Sequence, residues 1–433
     1  MPTPLKVLLV AHGFPPRETA GTERHTAALA KALQSRGHST CVVAATRAPG
    51  EPQYSIIESG SVVRIVNNIS TRALCDGESD LSIDQIMRDV EVQFQPDLVH
   101  VHHLQFLSST MSFTVPTVVT LHDEWAWCAS GGLGLRDGKE PCEGPSPEAC
   151  APCHAGWRPG PSSAARWMTK LAGWASPVIR PDTLHSLYKK VPAHLRPEPI
   201  RGQPATESPA AAAYRNQHLL SWFNRADARI APSRYLADKA HRNGLDSVDL
   251  VRHGLDSEWF DYADIQPPRA GIVSIGTVAY HKGTDRVVEA WREACPDAKT
   301  VLSLYGPVLD PNAALGHPVS GVLNPEEVRQ ILRRSRALIL GSIWPENAPL
   351  IILEARAAGC PVVAPALGGI PEILTPGVDG VLFDPEVPGA LGQALKTVLM
   401  SETWAPTPPP LFENAAEEIE AIYRRVLEDP ECE

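Results

Sequence analysis

Residues 344–380 read WPENAPLIILEARAAGCPVVAPALGGIPEILTPGVDG and place two carboxylates, Glu346 and Glu354, on either side of a predicted helix start. Proline suits the first helical position because its φ is already fixed and its missing N–H is not needed there, so we expect Pro349 to open the helix. The amides of the first turn then form an anion site. Helical side chains lean toward the N-terminus, and Glu354 therefore reaches back to the same place. This stretch predicts a site for a ligand that carries both phosphate and hydroxyl groups.

The length and composition of the chain limit its class. A chain of 433 residues exceeds one ordinary core and suits two α/β domains of roughly 200 residues each. The net charge of −11 disfavours broad binding to nucleic acid or to anionic lipid. No run approaches the ~20 apolar residues of a membrane span. The N-terminus MPTPLKVLLVAHGFPP has no cleavage site, so we expect a cytoplasmic protein.

Short β-branched runs alternate with helical patterns in both halves of the chain. In the first half these runs are residues 5–11, 40–45, 62–66, 97–102 and 115–122. In the second half they are residues 271–278, 300–306, 337–343, 361–365 and 380–384. Alternation of this kind is typical of parallel sheets with helices on both faces. The predicted fold class is therefore α/β, with two doubly wound Rossmann-like domains.

A break in this pattern at RHGLDSEWFD divides the chain. We place an N-terminal domain at 1–254, a C-terminal domain at 255–405 and a final segment at 406–433. The interval of about 128–215 is rich in Pro, Gly and Trp and has no clean strand, which predicts a functional or mobile insertion in the first domain. The final segment predicts an amphipathic helix. The apolar positions of that helix are Ile419, Ile422, Val426 and Leu427.

Five further segments, KVLLVAHGFPP, ETAGTE, VPTVVTLHD, ARIAPSRYL and GIVSIGTVAYHKG, precede residues 344–380 in that order. Together with two glutamates that flank seven residues and a Gly-Gly-x-Pro-Glu turn at 368–372, they resemble the family 4 glycosyltransferases over nearly the whole chain. The resemblance implies the GT-B architecture, in which two domains face each other across a cleft and the last helix crosses back to the first domain. It also implies retaining transfer of a sugar from a nucleoside-diphosphate donor to a hydroxyl acceptor, such as a polysaccharide or natural-product intermediate.

The resemblance also implies roles for individual residues. His122 is expected to touch the donor sugar and Glu346 to contact its hydroxyls, so these two are the catalytic candidates. Lys282 is expected to contact the diphosphate and Glu354 the ribose, whose two hydroxyls one carboxylate can accept. Residues 276–278 read Gly-Thr-Val where the family often has Gly-Arg-Leu, so one arginine at the diphosphate is missing. The expected donor-binding residues are Gly21, Lys282, Asn347, Leu350, Ile351, Glu354 and Gly369.

Structural roles compete with these assignments. Lys282 on its own would be a solvated loop cation, and either glutamate would satisfy the helix dipole. A single histidine is more often a buried core residue, although the place of His122 at the carboxyl end of a strand favours a functional role. Asp123 and Glu124 beside it are candidates for an acceptor contact or a general base.

The sequence gives no sign of a catalytic metal. No Asp-x-Asp pair occurs, so nothing predicts a carboxylate-held Mg²⁺ or Mn²⁺ at the donor phosphates, and we expect metal-independent catalysis. The histidines of LVHVHH are interpreted as structural or cleft-lining residues rather than ligands. These are His100, His102 and His103.

Four cysteines indicate a separate structural metal site. Cys128, Cys142, Cys150 and Cys153 are separated by gaps of 13, seven and two residues. Four thiolates that end in a CxxC pair can close a tetrahedral zinc site, and metal binding would supply folding free energy to a segment with little core. Because only one CxxC is present, inert thiols, a disulfide and redox function stay open as alternatives.

Two further questions are left open by the sequence. An apolar stripe of Trp167, Leu171 and Trp174 indicates either packing on the host domain or a surface that faces an acceptor or lipid, which would bring the protein to the inner face of a membrane. The rival functions are a nucleotide-sugar epimerase or hydrolase on the same architecture, and a non-catalytic sugar-nucleotide-binding protein.

Overall fold

The computed structural model describes residues 3–48, 50–68, 79–138, 140–157, 208–260, 269–295, 300–401 and 404–428, without the side chains of 155–157. Within these residues the predicted α/β fold class is confirmed, because two successive units each contain a parallel sheet flanked by helices. Every helix in this part of the chain is too short or too polar to cross a membrane.

The first unit contains an eight-stranded sheet. Its strands are β1 Lys6–Ala11, β2 Ser39–Thr46, β3 Ile56–Ser59, β4 Val62–Val66, β5 Leu98–Val101, β6 Thr117–Thr120, β9 Ala228–Ala231 and β10 Asp249–Leu250. Their spatial order is β10-β9-β6-β5-β1-β2-β4-β3, and all neighbours are parallel except β3 and β4. Leu8 packs on one face of the sheet and Leu9 on the other, which explains why β1 is a continuous apolar run.

The second unit contains a five-stranded parallel sheet. Its strands are β11 Ile272–Ile275, β12 Leu302–Tyr305, β13 Ala337–Ile339, β14 Val362–Pro365 and β15 Gly380–Phe383. Their spatial order is β12-β11-β13-β14-β15. Each predicted β-branched run of both halves corresponds to one strand, whereas β3, β9 and β10 were not predicted. Of these three, β3 and β10 lie at the two edges of the first sheet, and β10 has only two residues.

Eleven named helices flank these sheets in the described residues. They are α1 Gly21–Ser35, α2 Leu81–Phe94, α3 Pro147–Trp157, α4 Pro209–Asn224, α5 Arg234–Arg242, α6 Thr284–Ala294, α7 Pro325–Arg334, α8 Leu350–Ala357, α9 Ile370–Ile373, α10 Ala390–Met400 and α11 Phe412–Glu428. Short 3₁₀ turns occur at Ser257–Trp259, Tyr280–Lys282 and Pro311–Ala314. Asn324 and Glu327 form a capping box at α7, which fixes the start of that helix.

Helix α11 packs on the first unit although it follows the second in sequence. Three of its predicted apolar positions are buried in the same cluster as Leu9: Ile419, Ile422 and Val426. The fourth, Leu427, is exposed, because it lies about 100° around the helix from its neighbour Val426. The Tyr423 hydroxyl bonds to His100 Nδ1 at 2.6 Å, and Glu420 pairs with Arg36 at 2.7 Å. The end of the chain is thereby attached to α1 and β5.

The interval 128–215 is more regular than predicted. It contains a small hairpin of β7 Leu135–Arg136 and β8 Glu140–Pro141, followed by α3. Helix α4 begins inside the interval, where Ser208 accepts a hydrogen bond from Ala211 N at 3.1 Å. The expectation of no strand is therefore wrong, because strands of two residues leave no alternation in the sequence. The stripe of Trp167, Leu171 and Trp174 lies outside the described residues.

Candidate active site

The start of α8 lies beyond the carboxyl end of β13, where open α/β sheets bind ligands. The helix begins at Leu350, and Pro349 precedes it as the N-cap with φ −64° and ψ 116°. The expectation that Pro349 occupies the first helical position is thus wrong by one residue. Its extended ψ keeps it outside the helix, and its carbonyl accepts from Ile352 N at 3.1 Å. The amides of Leu350 and Ile351 still form the first turn.

Glu346 is held by a cation and a hydroxyl. Its Oε1 accepts from Ser342 Oγ at 2.6 Å and lies 3.1 Å from Lys282 Nζ. The Lys282 ammonium also lies 4.1 Å from the centre of the Trp344 ring. Lys282 ends a 3₁₀ turn, after which Gly283 has φ 61° and passes so close to Gly341 that an added Cβ would lie 1.8 Å from the Gly341 oxygen. Tight backbone packing thus places the lysine next to the glutamate.

Glu354 is almost fully buried, with 1% of its surface exposed, and forms an ion pair with Arg24 of α1. Burial raises the pKa of this carboxyl, while the Arg24 guanidinium opposes the shift. The pair joins residues 330 positions apart and links the two units. Arg24 was not predicted, because nothing in its local sequence distinguishes it from a solvent-exposed helical arginine.

Asn347 connects the two units next to the glutamates. Its Nδ2 donates to the His122 carbonyl at 3.1 Å, and its Oδ1 accepts from the Ser233 hydroxyl. Gly369 packs directly under this turn, since its N–H donates to the Glu346 carbonyl at 2.8 Å and an added Cβ would lie 1.8 Å from the Asn347 oxygen. A side chain at position 369 would displace Asn347 and, with it, the contact to His122.

His122 lies two residues after β6 and is half-buried. Its Nε2 lies 3.2 Å from His102 Nδ1. Burial, together with the neighbouring histidines His102 and His253, lowers the pKa of His122 well below its usual value, so the ring is neutral at pH 7. The His122 ring therefore carries no positive charge, and its nitrogens are available only for hydrogen bonds or for a cation.

The acidic residues beside His122 differ in availability. Glu124 is 5% exposed, and its two oxygens accept from the Tyr235 hydroxyl at 2.8 Å and from Trp127 Nε1 at 3.0 Å. These contacts make it a structural anchor, and its candidacy as a general base or acceptor contact stays a prediction. Asp123 is more exposed and lies 3.5 Å from His103 Nε2, so it remains a candidate.

Gly21 begins α1, and a Cβ added there would meet no atom within 4 Å. Packing does not require glycine at this position. Arg24 lies one turn further along α1 and reaches Glu354, so the start of α1 approaches the start of α8.

The four cysteines line one cavity of the first unit. Asp137 N donates to Cys153 Sγ at 3.2 Å, and Cys142 Sγ donates to the Gly144 carbonyl at 3.3 Å. Burial raises the pKa of Cys128 to about 12, so this group is a thiol at neutral pH. The proximity agrees with a common role for Cys128, Cys142, Cys150 and Cys153, and the zinc site stays a prediction.

Two family models match the chain. The model described as Glycosyltransferase Family 4 matches residues 19–179, and the model described as Glycosyl transferases group 1 matches residues 257–418. A glycogen synthase of Mycobacterium tuberculosis (strain ATCC 25618 / H37Rv) is 29% identical over 209 residues, which are 44% of this chain and 50% of that protein. The chain thus spans about half the length of this curated relative.

Solved structures share the fold at low sequence identity. A sucrose-phosphate synthase from Thermosynechococcus elongatus superposes with a TM-score of 0.61 and 17% identity, over 98% of this chain and 96% of that one. HepE of Anabaena, solved in complex with UDP-glucose, gives a TM-score of 0.57 and 14% identity, over 98% of each chain. With both family models matched in order and the two Rossmann-like units described above, the chain belongs to the family 4 glycosyltransferases of GT-B architecture.

Proposed function

We propose that this protein is a retaining, metal-independent glycosyltransferase that moves a sugar from a nucleoside diphosphate to a hydroxyl acceptor. The observation that carries the proposal is the contact of Asn347 with the His122 carbonyl at 3.1 Å. This contact brings the catalytic candidate of the first unit next to the Lys282–Glu346 pair and the start of α8. Donor-binding groups and a histidine for the sugar thus meet at one point between the units.

Donor binding exchanges the partners of two ion pairs. Lys282 and Arg24, which here neutralise Glu346 and Glu354, turn toward the diphosphate. The freed carboxylates accept hydroxyls, Glu354 from the ribose and Glu346 from the sugar. Arg24 thereby supplies the guanidinium that is missing at Thr277. The amides at the start of α8 add further donors to the phosphate oxygens.

Transfer breaks the bond between the anomeric carbon and the leaving diphosphate oxygen and forms a bond from that carbon to the acceptor oxygen. The acceptor attacks on the face that the diphosphate leaves, and a leaving phosphate oxygen takes the acceptor proton, so the configuration is retained. Glu346 stabilises the sugar by hydrogen bonds and does not form a covalent bond, because the acceptor attacks directly on the face that the diphosphate leaves. Neutral His122 orients the sugar and excludes water.

The donor is identified first by thermal shift with a panel of UDP, ADP and GDP sugars. A ligand at 100 times its Kd stabilises the folded protein by roughly 2.7 kcal/mol, which is enough to rank donors. HepE was solved with UDP-glucose, so this donor is the first to test.

Mass spectrometry of the products then separates the candidate functions. Donor alone should stay intact, whereas donor with a panel of hydroxyl acceptors should give a glycosylated product with retained configuration. Free sugar or an isomerised donor from donor alone would favour a hydrolase or an epimerase. Binding without any product would favour a non-catalytic protein. Activity that is lost in EDTA and restored by Mg²⁺ or Mn²⁺ would contradict metal independence.

A further inference from the structure

Four histidines meet where the start of α1 approaches the carboxyl ends of β5 and β6. The ring centre of His25 lies 4.6 Å from that of His253, 5.1 Å from that of His122 and 5.5 Å from that of His102. His25 comes from α1, His102 follows β5, His122 follows β6 and His253 follows β10. Four separate elements thus bring imidazoles to one place.

Four ring nitrogens of this cluster lack hydrogen-bond partners. Neither nitrogen of His25 has a partner, and the same is true of His102 Nε2 and His253 Nδ1. His25 is 4% exposed and His102 1% exposed, so solvent does not replace these partners. Buried polar groups are normally hydrogen-bonded, and each exception requires an explanation. A cation bound beside His25 would give one of its two ring nitrogens the partner that it lacks.

The spacing of the nitrogens fits a metal ion. In the described residues, one nitrogen from each of His25, His102 and His122 lies within 4.8 Å of the other two. His102 Nδ1 and His122 Nε2 are 3.2 Å apart. Two nitrogens bound to zinc at ~2.0–2.1 Å in tetrahedral geometry lie roughly 3.3 Å apart. The two imidazoles therefore already have the separation of two ligands on one ion.

The chemistry of the three side chains selects the class of metal. Each neutral imidazole offers one nitrogen lone pair to a cation. Neutral imidazoles suit zinc, copper and nickel, whereas magnesium, calcium and manganese prefer oxygen ligands. Three protein ligands leave a fourth position, as in zinc sites that bind a further molecule.

We propose that His25, His102 and His122 form a binding site for a divalent transition-metal ion of the zinc class. The interpretation of His102 as a residue that is not a ligand is then replaced. The ion uses Nε2 of His122, the ring that would otherwise orient the donor sugar. Zinc at this site therefore inhibits transfer, a consequence that rests on the function proposed above.

Direct metal binding tests the site without any activity assay. Full-length chain is stripped of metal and dialysed against zinc in the Cys150→Ser background, which separates the histidines from the cysteine cavity. We expect one zinc per chain by elemental analysis. His25→Ala and His122→Ala, added separately, should each weaken zinc binding at least ~100-fold, more than the loss of a group that only supports a ligand. His241→Ala, on the exposed face of α5, is the matched control and should bind zinc unchanged.

Cobalt(II) reports which ligands are used. Bound cobalt should show the visible absorption of a tetrahedral site without the thiolate-to-cobalt band that cysteine ligands produce. A thiolate band in the Cys150→Ser background, absence of bound zinc, or zinc binding by both histidine variants as tight as that of the Cys150→Ser parent would overturn the proposal. Because His122 is only half-buried, its variant still tests the site if His25→Ala does not fold.

Inhibition is a separate readout. Zinc should slow transfer by the Cys150→Ser protein, and EDTA should reverse the loss. His25→Ala, measured against its own zinc-free rate, should lose this sensitivity. If zinc binds as expected and no transfer is found with any donor, the metal site stands and the proposed function fails. If zinc inhibits His25→Ala as strongly as the parent, the inhibition does not arise at this site.

Discussion

The two sides of the cleft differ in how their polar groups are paired. On the side of the second unit, Glu346 has Lys282 and Ser342 as partners, and buried Glu354 has Arg24. On the side of the first unit, histidine rings such as His25 contact each other and leave nitrogens without partners. Ion pairs can exchange partners with a ligand that carries both phosphate and hydroxyl groups, whereas unpaired buried nitrogens require an added group. The first arrangement suits a donor substrate, and the second suits a cation.

Removal of a carboxylate on the side of the second unit should have the largest effect on the kinetics of transfer. Glu346→Ala should lower kcat by about 10²-fold or more, because its contacts act on the sugar while charge develops. Glu354→Ala should instead raise the donor KM by about 10-fold to 100-fold, since hydrogen bonds to a charged group are worth about 1.5–3 kcal/mol. Steady-state kinetics with varied donor separates the two effects.

A third cleft variant and one control accompany this kinetic comparison. His122→Ala should follow Glu346→Ala and lower chiefly kcat, because both residues are proposed to contact the transferred sugar. Glu124→Gln keeps the shape of the neighbouring buried carboxylate and tests stability rather than chemistry. Unchanged kinetics in all three cleft variants would locate the active site elsewhere on the chain.

Arg24→Ala breaks the pairing that joins the two sides. Buried Glu354 then loses its cation, and the free energy of unfolding should fall by about 2–3 kcal/mol at pH 7, below the usual cost of breaking a fully buried pair because Arg24 is partly exposed. Arg24→Lys keeps the charge and should recover part of the loss. Denaturant melts of the parent, Arg24→Ala and Arg24→Lys proteins measure the free energy of unfolding. A variant as stable as the parent would mean that the pair contributes little.

The pH dependence of this deficit has a defined sign. Burial raises the folded-state pKa of Glu354, so between its unfolded and folded pKa values the folded state binds more protons than the unfolded state. Stability from this group is therefore present below the unfolded pKa and is lost as pH rises through the folded pKa. Without Arg24 the pKa rises further. The deficit of Arg24→Ala should shrink toward acidic pH, and a deficit that grows there would contradict the assignment.

Sequence patterns predicted one side of the cleft better than the other. Glu346, Lys282 and Gly369 belong to local motifs, and the structure brings them together through short connections such as Gly283. Arg24 pairs with a residue 330 positions away, and local sequence does not report such a contact. Ten strands were predicted because each shows a β-branched run, whereas β3, β9, β10 and the two-residue strands of the hairpin after residue 134 were missed.

The histidine cluster was missed for a related reason. His100, His102 and His103 were interpreted as structural or cleft-lining residues rather than ligands, and His100 does bond to the Tyr423 hydroxyl. His25 comes from α1 and His253 from a later loop, so the fold alone reveals that they meet His102. A pattern of single histidines in four segments has no spacing by which sequence analysis could recognise it.

The cysteine cavity of the first unit differs from both sides of the cleft. Its thiols have hydrogen-bond partners, unlike the histidine nitrogens, yet four of them line one cavity. If the predicted zinc is present, Cys150→Ser should lose about one zinc per chain relative to the parent and melt locally in the hairpin and α3, with Zn–S near ~2.3 Å in the parent. X-ray absorption and hydrogen exchange measure the two effects.

Cys295→Ser is the matched control for this cavity, because Cys295 is buried in the second unit and packs as a small apolar residue. It should keep the metal. Four thiols that titrate freely, with unchanged exchange after Cys150→Ser, would remove the zinc site and leave a cavity lined by inert thiols. The histidine proposal would be unaffected, since it uses different ligands.

Glu372 should give the smallest effect, because its contacts are polar and partly exposed. Its carboxylate accepts from Arg234 N at 3.0 Å and Tyr235 N at 2.8 Å at the start of α5, and it pairs with Arg252 at 3.1 Å. A residue of the second unit thus caps a helix of the first.

Glu372→Ala should lower the free energy of unfolding by about 1 kcal/mol, the usual value of a lost cap. Glu372→Gln should lower it by about half of that, since the amide oxygen still accepts one N–H. Because the cap joins the two units, calorimetry should show their unfolding transitions moving apart in Glu372→Ala. A single unchanged transition would mean that Arg24 and Asn347 hold the units together without this contact.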